Sequence, residues 1–233
     1  MFDIDTDKFS HMPFVAQDEK GNPVEFCCIR VGIYWKLHWN NNGVWERIKT
    51  GLPEDAWECS PVAEYDEGMW KVSFIAGGQE GARRFKLYRM YGIDSEPDVI
   101  SEADVGFSFK NRIVAAGRSS SIEITSEYEH KQLNLHGVSY LYRISCDPFE
   151  PNNFLISGQF EDEKIFSWLY RPGIKELYSV IADGIPAYKC ALWQHDCYYA
   201  MRLGGFEDRR IVKAKDWHLD KLDAEKYITE EEL

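Results

Sequence analysis

A five-bladed β-propeller is the fold class this sequence predicts, and three observations predict it. Runs rich in aromatic and β-branched residues end in glycine at Gly32, Gly77, Gly117, Gly158 and Gly204, spaced 45, 40, 41 and 46 residues apart. Each run follows a turn and an earlier apolar strand, and each precedes two more strands, the last of them polar. This rhythm fills the chain, and four strands repeating every ~43 residues is the signature of radially packed blades. A β-sandwich or barrel of regular hairpins would share the strands but has no reason to hold the period.

The unit is clearest at residues 57–94, where two strands meet at the turn Asp66-Glu67-Gly68, Gly77-Gly78 breaks the chain and a third strand follows. That third strand, residues 85–90, alternates apolar with basic residues, which predicts one buried and one wet face. First strands fall near 12–17, 60–65, 104–109, 138–145 and 187–194. The glycine-ended second strands are 24–32, 69–77, 111–117, 153–158 and 198–204. Third strands are expected at 34–39, 85–90, 121–126, 165–170 and 210–214. The polar fourth strands, at 44–48, 97–100, 132–135, 175–180 and 218–222, suit outer edges. The blades of a single domain are thus 10–50, 57–101, 102–136, 137–181 and 184–222, and the acidic tail 223–233 reads as a short helix or a frayed end.

Composition narrows the function. A net charge of −12 and the absence of a basic cluster exclude a polyanion-binding surface, so no nucleic-acid partner is expected. No apolar run approaches the ~18 residues of a membrane span, and no secretory leader opens the chain, which makes a cytoplasmic location with reduced thiols the default. The six cysteines show no CxxC spacing and the histidines no HxH or HxxxH spacing, so neither a metal nor another cofactor is expected. Cys59 and Cys190 read as buried small hydrophobes. His38, His130, His195 and His218 read as solvated, and Trp35, Trp39, Trp45 and Trp70 as inter-blade core.

In a propeller the first strand of each blade lines the central channel, so residues at the starts of those strands converge on one mouth. Blade 1 offers His11 with Asp7 upstream, blade 2 Glu58 and Cys59, and blade 3 Glu102 and Asp104. Blade 4 offers His136, Tyr140 and Arg143; blade 5 offers Tyr188, Lys189 and Cys190. Carboxylates, histidines and aromatic rings around one funnel suit a carbohydrate or sugar-like small molecule, because rings stack on pyranose faces and carboxylates accept hydroxyl hydrogen bonds.

The segment Glu58-Cys59-Ser60-Pro61-Val62, followed by Tyr65-Asp66-Glu67-Gly68-Met69-Trp70, resembles blade sequences of the arabinanase, invertase and levansucrase superfamily of five-bladed glycoside hydrolases. The resemblance implies a general acid at Glu58, with Asp104 or Asp7 as base or nucleophile. Pro13-Phe14-Val15 similarly resembles the first-blade inner strand, although no aspartate falls where the family places one. Cys146-Asp147-Pro148 is the only counterpart of the family's Arg-Asp-Pro motif, and it lacks the arginine. Two expectations follow: a glycoside hydrolase-like enzyme, or a non-catalytic propeller that binds carbohydrate or another protein. The oligomeric state is left open.

Overall fold

The computed structural model describes residues 12–78, 84–117, 120–202 and 209–233. They form five antiparallel sheets that follow one another along the chain as the blades of a propeller. Blade 1 comprises β1 (Phe14–Gln17), β2 (Pro23–Val31), β3 (Tyr34–Asn41) and β4 (Val44–Arg47). Blade 2 comprises β5 (Ala56–Asp66), β6 (Met69–Gly78), β7 (Lys86–Tyr91) and β8 (Asp98–Glu102). Blade 3 begins with β9 (Val105–Phe109), β10 (Arg112–Ala116), β11 (Ser121–Thr125) and β12 (His130–Leu135). Blade 4 begins with β13 (Val138–Cys146), β14 (Phe154–Phe160), β15 (Ile165–Arg171) and β16 (Glu176–Ala182), extended by the short β17 (Ile185–Pro186). Blade 5 contains β18 (Ala191–Trp193), β19 (Asp196–Arg202) and β20 (Arg209–Lys213). The predicted fold class is the observed one.

Apolar clusters between neighbouring blades close the ring. Met12, Val15 and Cys27 of blade 1 pack with Trp193, Tyr198 and Ile211 of blade 5, joining the last blade to the first. Leu155, Leu169 and Val180 of blade 4 meet Leu192, Cys197 and Tyr199 of blade 5. Ile75 and Leu87 of blade 2 meet Ala115 of blade 3. The largest cluster carries Phe26, Trp70, Phe74, Phe107 and Phe154 through the first four blades. Within it the Phe26 ring meets Trp70 edge-on at 5.1 Å and Phe107 meets Phe154 at 6.1 Å, the edge-to-face geometry that aromatic quadrupoles favour.

Because each blade is sandwiched between two others, both faces of its first three strands are largely covered. The reading of β7 as half wet is therefore corrected: Arg89 is buried with Leu87 and Met90. His38 is likewise buried at 8% exposure rather than solvated, its Nδ1 2.8 Å from the Lys36 carbonyl oxygen, and burial holds its pKa below the ordinary histidine value.

The C-terminal chain departs from the sequence reading. β21 (Trp217–Leu222), expected as the fourth strand of blade 5, pairs instead with β16 of blade 4, from Ala182 opposite Trp217 to Leu177 opposite Leu222. Leu219 and Leu222 point to opposite faces of the strand, Leu219 packing against the cluster between blades 4 and 5 and Leu222 against the largest cluster. Asp183 fixes the crossing by accepting the N–H groups of Lys215 and Asp216 at 2.9 and 3.1 Å and the Tyr199 hydroxyl at 2.9 Å. A single helical turn, α1 (Ala224–Tyr227), leads to β22 (Ile228–Glu232), which adds an outer strand to blade 3 beside β12. Ile228 is buried, and Glu230 accepts the Tyr170 hydroxyl of blade 4. The tail thus binds blades 3 and 4 together along their outer edges.

Candidate functional site

Residues from all five blades line one cavity of about 400 Å³, which places it on the propeller axis. It lies at the ends of the inner strands, among the turns that lead into the second strands, and not at their starts. Gln17 comes from blade 1, Glu64, Tyr65 and Asp66 from blade 2, and Lys110 and Asn111 from blade 3. Pro148 and Phe149 come from blade 4 and Trp193 from blade 5. Tight hairpins bring the rim together: Glu67, Lys110, Asn111 and Gln194 all adopt positive φ between 46° and 60°. Such left-handed residues match hairpin twist to strand twist.

The acidic wall is preorganised. Glu64 is buried and accepts Arg89 Nη2 at 3.0 Å, and both of its oxygens lie 3.0 Å from the Lys110 N–H. Arg89 also donates to Ser108 Oγ at 3.0 Å, tying blade 2 to blade 3 beneath the rim. Burial pushes the Glu64 carboxyl above the ordinary glutamate value, outweighing the Lys110 N–H and the Arg89 charge. Asp66 pairs with Lys71 at 2.5 Å, and that hydrogen bond holds its carboxyl low. Asp147, at the start of the blade 4 turn, is held high by burial.

The aromatic wall is formed by Tyr65, Phe149 and Trp193. The Phe149 and Trp193 rings lie 4.8 Å apart at 45°, with Phe149 43% exposed and Trp193 buried. The Trp193 indole N–H has no hydrogen-bond partner. Tyr65 meets Trp70 edge-on at 5.1 Å. Trp70 in turn lines a neighbouring cleft of about 580 Å³ with Trp39, Glu25, Asn40 and Asp18, so this ring pair joins the mouth to a groove between blades 1 and 2.

The residues predicted from strand starts are distributed differently. Glu58 is 1% exposed, between blades 1 and 2. Its Oε2 accepts the Leu37 N–H at 2.6 Å, its Oε1 accepts the Thr50 hydroxyl at 2.9 Å, and Lys36 Nζ lies 3.6 Å from Oε1. Burial raises its carboxyl despite these partners. Asp104 opens β9 half-buried, with its N–H on the Ala116 carbonyl at 2.9 Å. Glu102 belongs to the outer strand of blade 2 and pairs with Lys86 at 2.8 Å, which corrects its placement in blade 3. His136 is exposed in the turn between blades 3 and 4, with its N–H on the Tyr227 carbonyl.

Tyr140 and Tyr188 do come together, each against Tyr142 at 5.0 and 5.3 Å, and Lys189 Nζ sits 5.5 Å from the Tyr188 ring centre. Arg143 is on the same inner strand as Tyr140 but is deeply buried. Asp7 and His11 lie outside the described residues. All six cysteines are free thiols, and among the described residues no group of three or more His, Cys, Asp or Glu is arranged to hold a metal ion. No helix among them is long and apolar enough to cross a membrane.

The mouth escaped the sequence reading although its signal was in view. The turns Asp66-Glu67-Gly68 and Lys110-Asn111, which align the repeats, are the rim itself. Fold and site define a five-bladed propeller with an axial cavity of acid, amide and aromatic character. No protein-family model, curated protein or solved structure matches the chain. The glycoside hydrolase resemblance therefore rests on the quoted segments alone.

Proposed function

We propose that this propeller is a carbohydrate-binding module that holds its ligand at the five-blade mouth without cleaving it. The observation that carries the reading is the meeting of Tyr65, Phe149 and Trp193 with Gln17, Asp66 and Asn111 around one axial cavity. Aromatic faces take the C–H faces of a sugar ring, and amide and carboxylate groups take its hydroxyls.

Binding is favoured over hydrolysis by the state of the carboxylates. Glycoside hydrolysis needs two carboxyl groups that reach the scissile bond, ~5–5.5 Å or ~6.5–9.5 Å apart. At the mouth, Glu64 is committed to Arg89 and the Lys110 N–H, and Asp66 to Lys71. Glu58 has both oxygens engaged inside a blade interface. These three groups neutralise and orient, and none of them stands free to act as acid or base.

A glycan array followed by calorimetric titration tests the reading. Phe149→Ala and Asn111→Ala should each weaken binding of the recognised glycan about tenfold, equivalent to ~1.4 kcal/mol. Glu58→Gln should leave the affinity unchanged in protein that remains folded. Failure to bind any glycan, or binding indifferent to Phe149 and Asn111, overturns it. Turnover of an aryl glycoside abolished by Glu58→Gln would restore the hydrolase.

A further inference from the structure

Arg143 is 3% exposed on the inner strand β13, and its Nε, Nη1 and Nη2 all lack hydrogen-bond partners. Nothing else buried in the described residues combines a full charge with so many idle donors. A guanidinium carries five N–H groups, and its desolvation without a counter-charge costs several kcal/mol. It lies roughly 10 Å along the strand from Cys146, where β13 ends at the axial mouth.

Thiols from three blades lie within its electrostatic reach. The groups that act electrostatically on Arg143 are Cys190 of blade 5, Cys27 and Cys28 of blade 1, and Cys146 of its own strand. All four are buried, and burial raises each thiol above its ordinary value, Cys190 to about 11. They are neutral at physiological pH and are weak acceptors. The carboxylates whose charges reach these thiols have partners of their own: Glu25, which acts on Cys27, accepts the Asn40 amide at 3.0 Å. Glu58 is held by Lys36, Leu37 and Thr50, and Glu64 by Arg89 and Lys110. Asp147, adjacent to Cys146, accepts the Phe149 N–H at 2.9 Å.

We propose that the buried, unpartnered guanidinium of Arg143 on the inner strand β13, with the thiols of Cys27, Cys28, Cys146 and Cys190 in its electrostatic reach, anchors an axial site for one small monovalent anion. The single charge of one guanidinium suits a monovalent ligand rather than phosphate or sulfate. Polarisable sulfur walls suit a large, weakly hydrated anion. The site is independent of what occupies the mouth above, and bound anion stabilises only the folded ring, because the inner strands converge only when it closes.

The full-length protein is unfolded thermally at fixed ionic strength while bromide replaces gluconate. Bromide should raise the wild-type midpoint along a saturating curve by at least about 3 °C. Arg143→Met should show no saturating rise, and Arg143→Lys a weaker one. Crystals grown in bromide should show anomalous scattering within hydrogen-bonding distance of the Arg143 guanidinium. Equal midpoint responses in wild type and Arg143→Met overturn the proposal. Should Arg143→Met not fold, absence of bromide beside Arg143 in wild-type crystals overturns it alone.

Discussion

Of the cations buried in this molecule, Lys36 and Arg143 have surroundings that could hardly differ more. Lys36, fully buried between blades 1 and 2, donates to the carbonyls of Ala56 and Pro53 at 3.0 and 3.2 Å and faces Glu58 at 3.6 Å. Arg143, almost as deep, touches no acceptor. The first is a closed unit in which each partner explains the other. The second is half of a unit whose other half is not in the chain. Burial alone therefore does not mark a binding group; burial without satisfaction does. The same test demotes Glu58 as a catalytic acid, because its hydrogen bonds are complete inside the protein.

Breaking the closed unit should cost most. Glu58→Ala strands the Leu37 N–H and the Thr50 hydroxyl, leaves Lys36 without its counter-charge and opens a void. A loss of about 3–5 kcal/mol is expected, read from urea unfolding. A loss below ~1 kcal/mol would mean that Glu58 is not integral to the interface, and the catalytic reading would regain ground.

Arg143 should behave in the opposite sense. In gluconate buffer, where the axial site is empty, Arg143→Met removes an uncompensated charge and keeps much of the side-chain volume. The variant should equal the wild type or exceed it by up to ~2 kcal/mol, as replacement of buried ionic groups by apolar ones often does. A loss of more than ~2 kcal/mol in that buffer would show that the guanidinium is partnered after all, and the contrast with Lys36 would collapse.

Both cations also show what strand periodicity can and cannot convey. The blade rhythm was legible because glycine-ended strands and turn residues recur whatever surrounds them. The placement of polar residues was not. Alternation distinguishes inside from outside only where one face meets water, and in a propeller both faces of every strand but the outermost meet other blades. Lys36, His38 and Arg89 all alternate with apolar neighbours and are all buried. The period likewise could not say which sheet edge the strand 217–222 would join. That choice was made by the open edge of β16 and by Leu219 and Leu222. Of the predicted site, the axial convergence of inner strands was correct in principle, but the cavity lies at their turn ends, one strand length from the residues named.

The smallest expected effect concerns protons. Burial raises the folded Glu58 carboxyl above the value near 4.5 of the unfolded chain, even with Lys36 nearby, because that ammonium is shared with two carbonyls and stands 3.6 Å away. The folded state thus binds this proton more tightly than the unfolded state does. Its contribution is fully present below pH 4.5 and is lost as pH rises through the folded value. Glu64 and Asp147 act in the same direction, so total stability does not isolate Glu58. The difference between wild type and Glu58→Gln does. It should shift against the wild type as pH climbs from 4.5, then level off once the folded carboxyl is ionised. The corresponding difference for Arg143→Met should stay flat there, since its guanidinium titrates only at about 10. A Glu58 difference that moves the other way would mean that the pair with Lys36 outweighs desolvation, making that unit an attractive salt bridge rather than a mutually tolerated one.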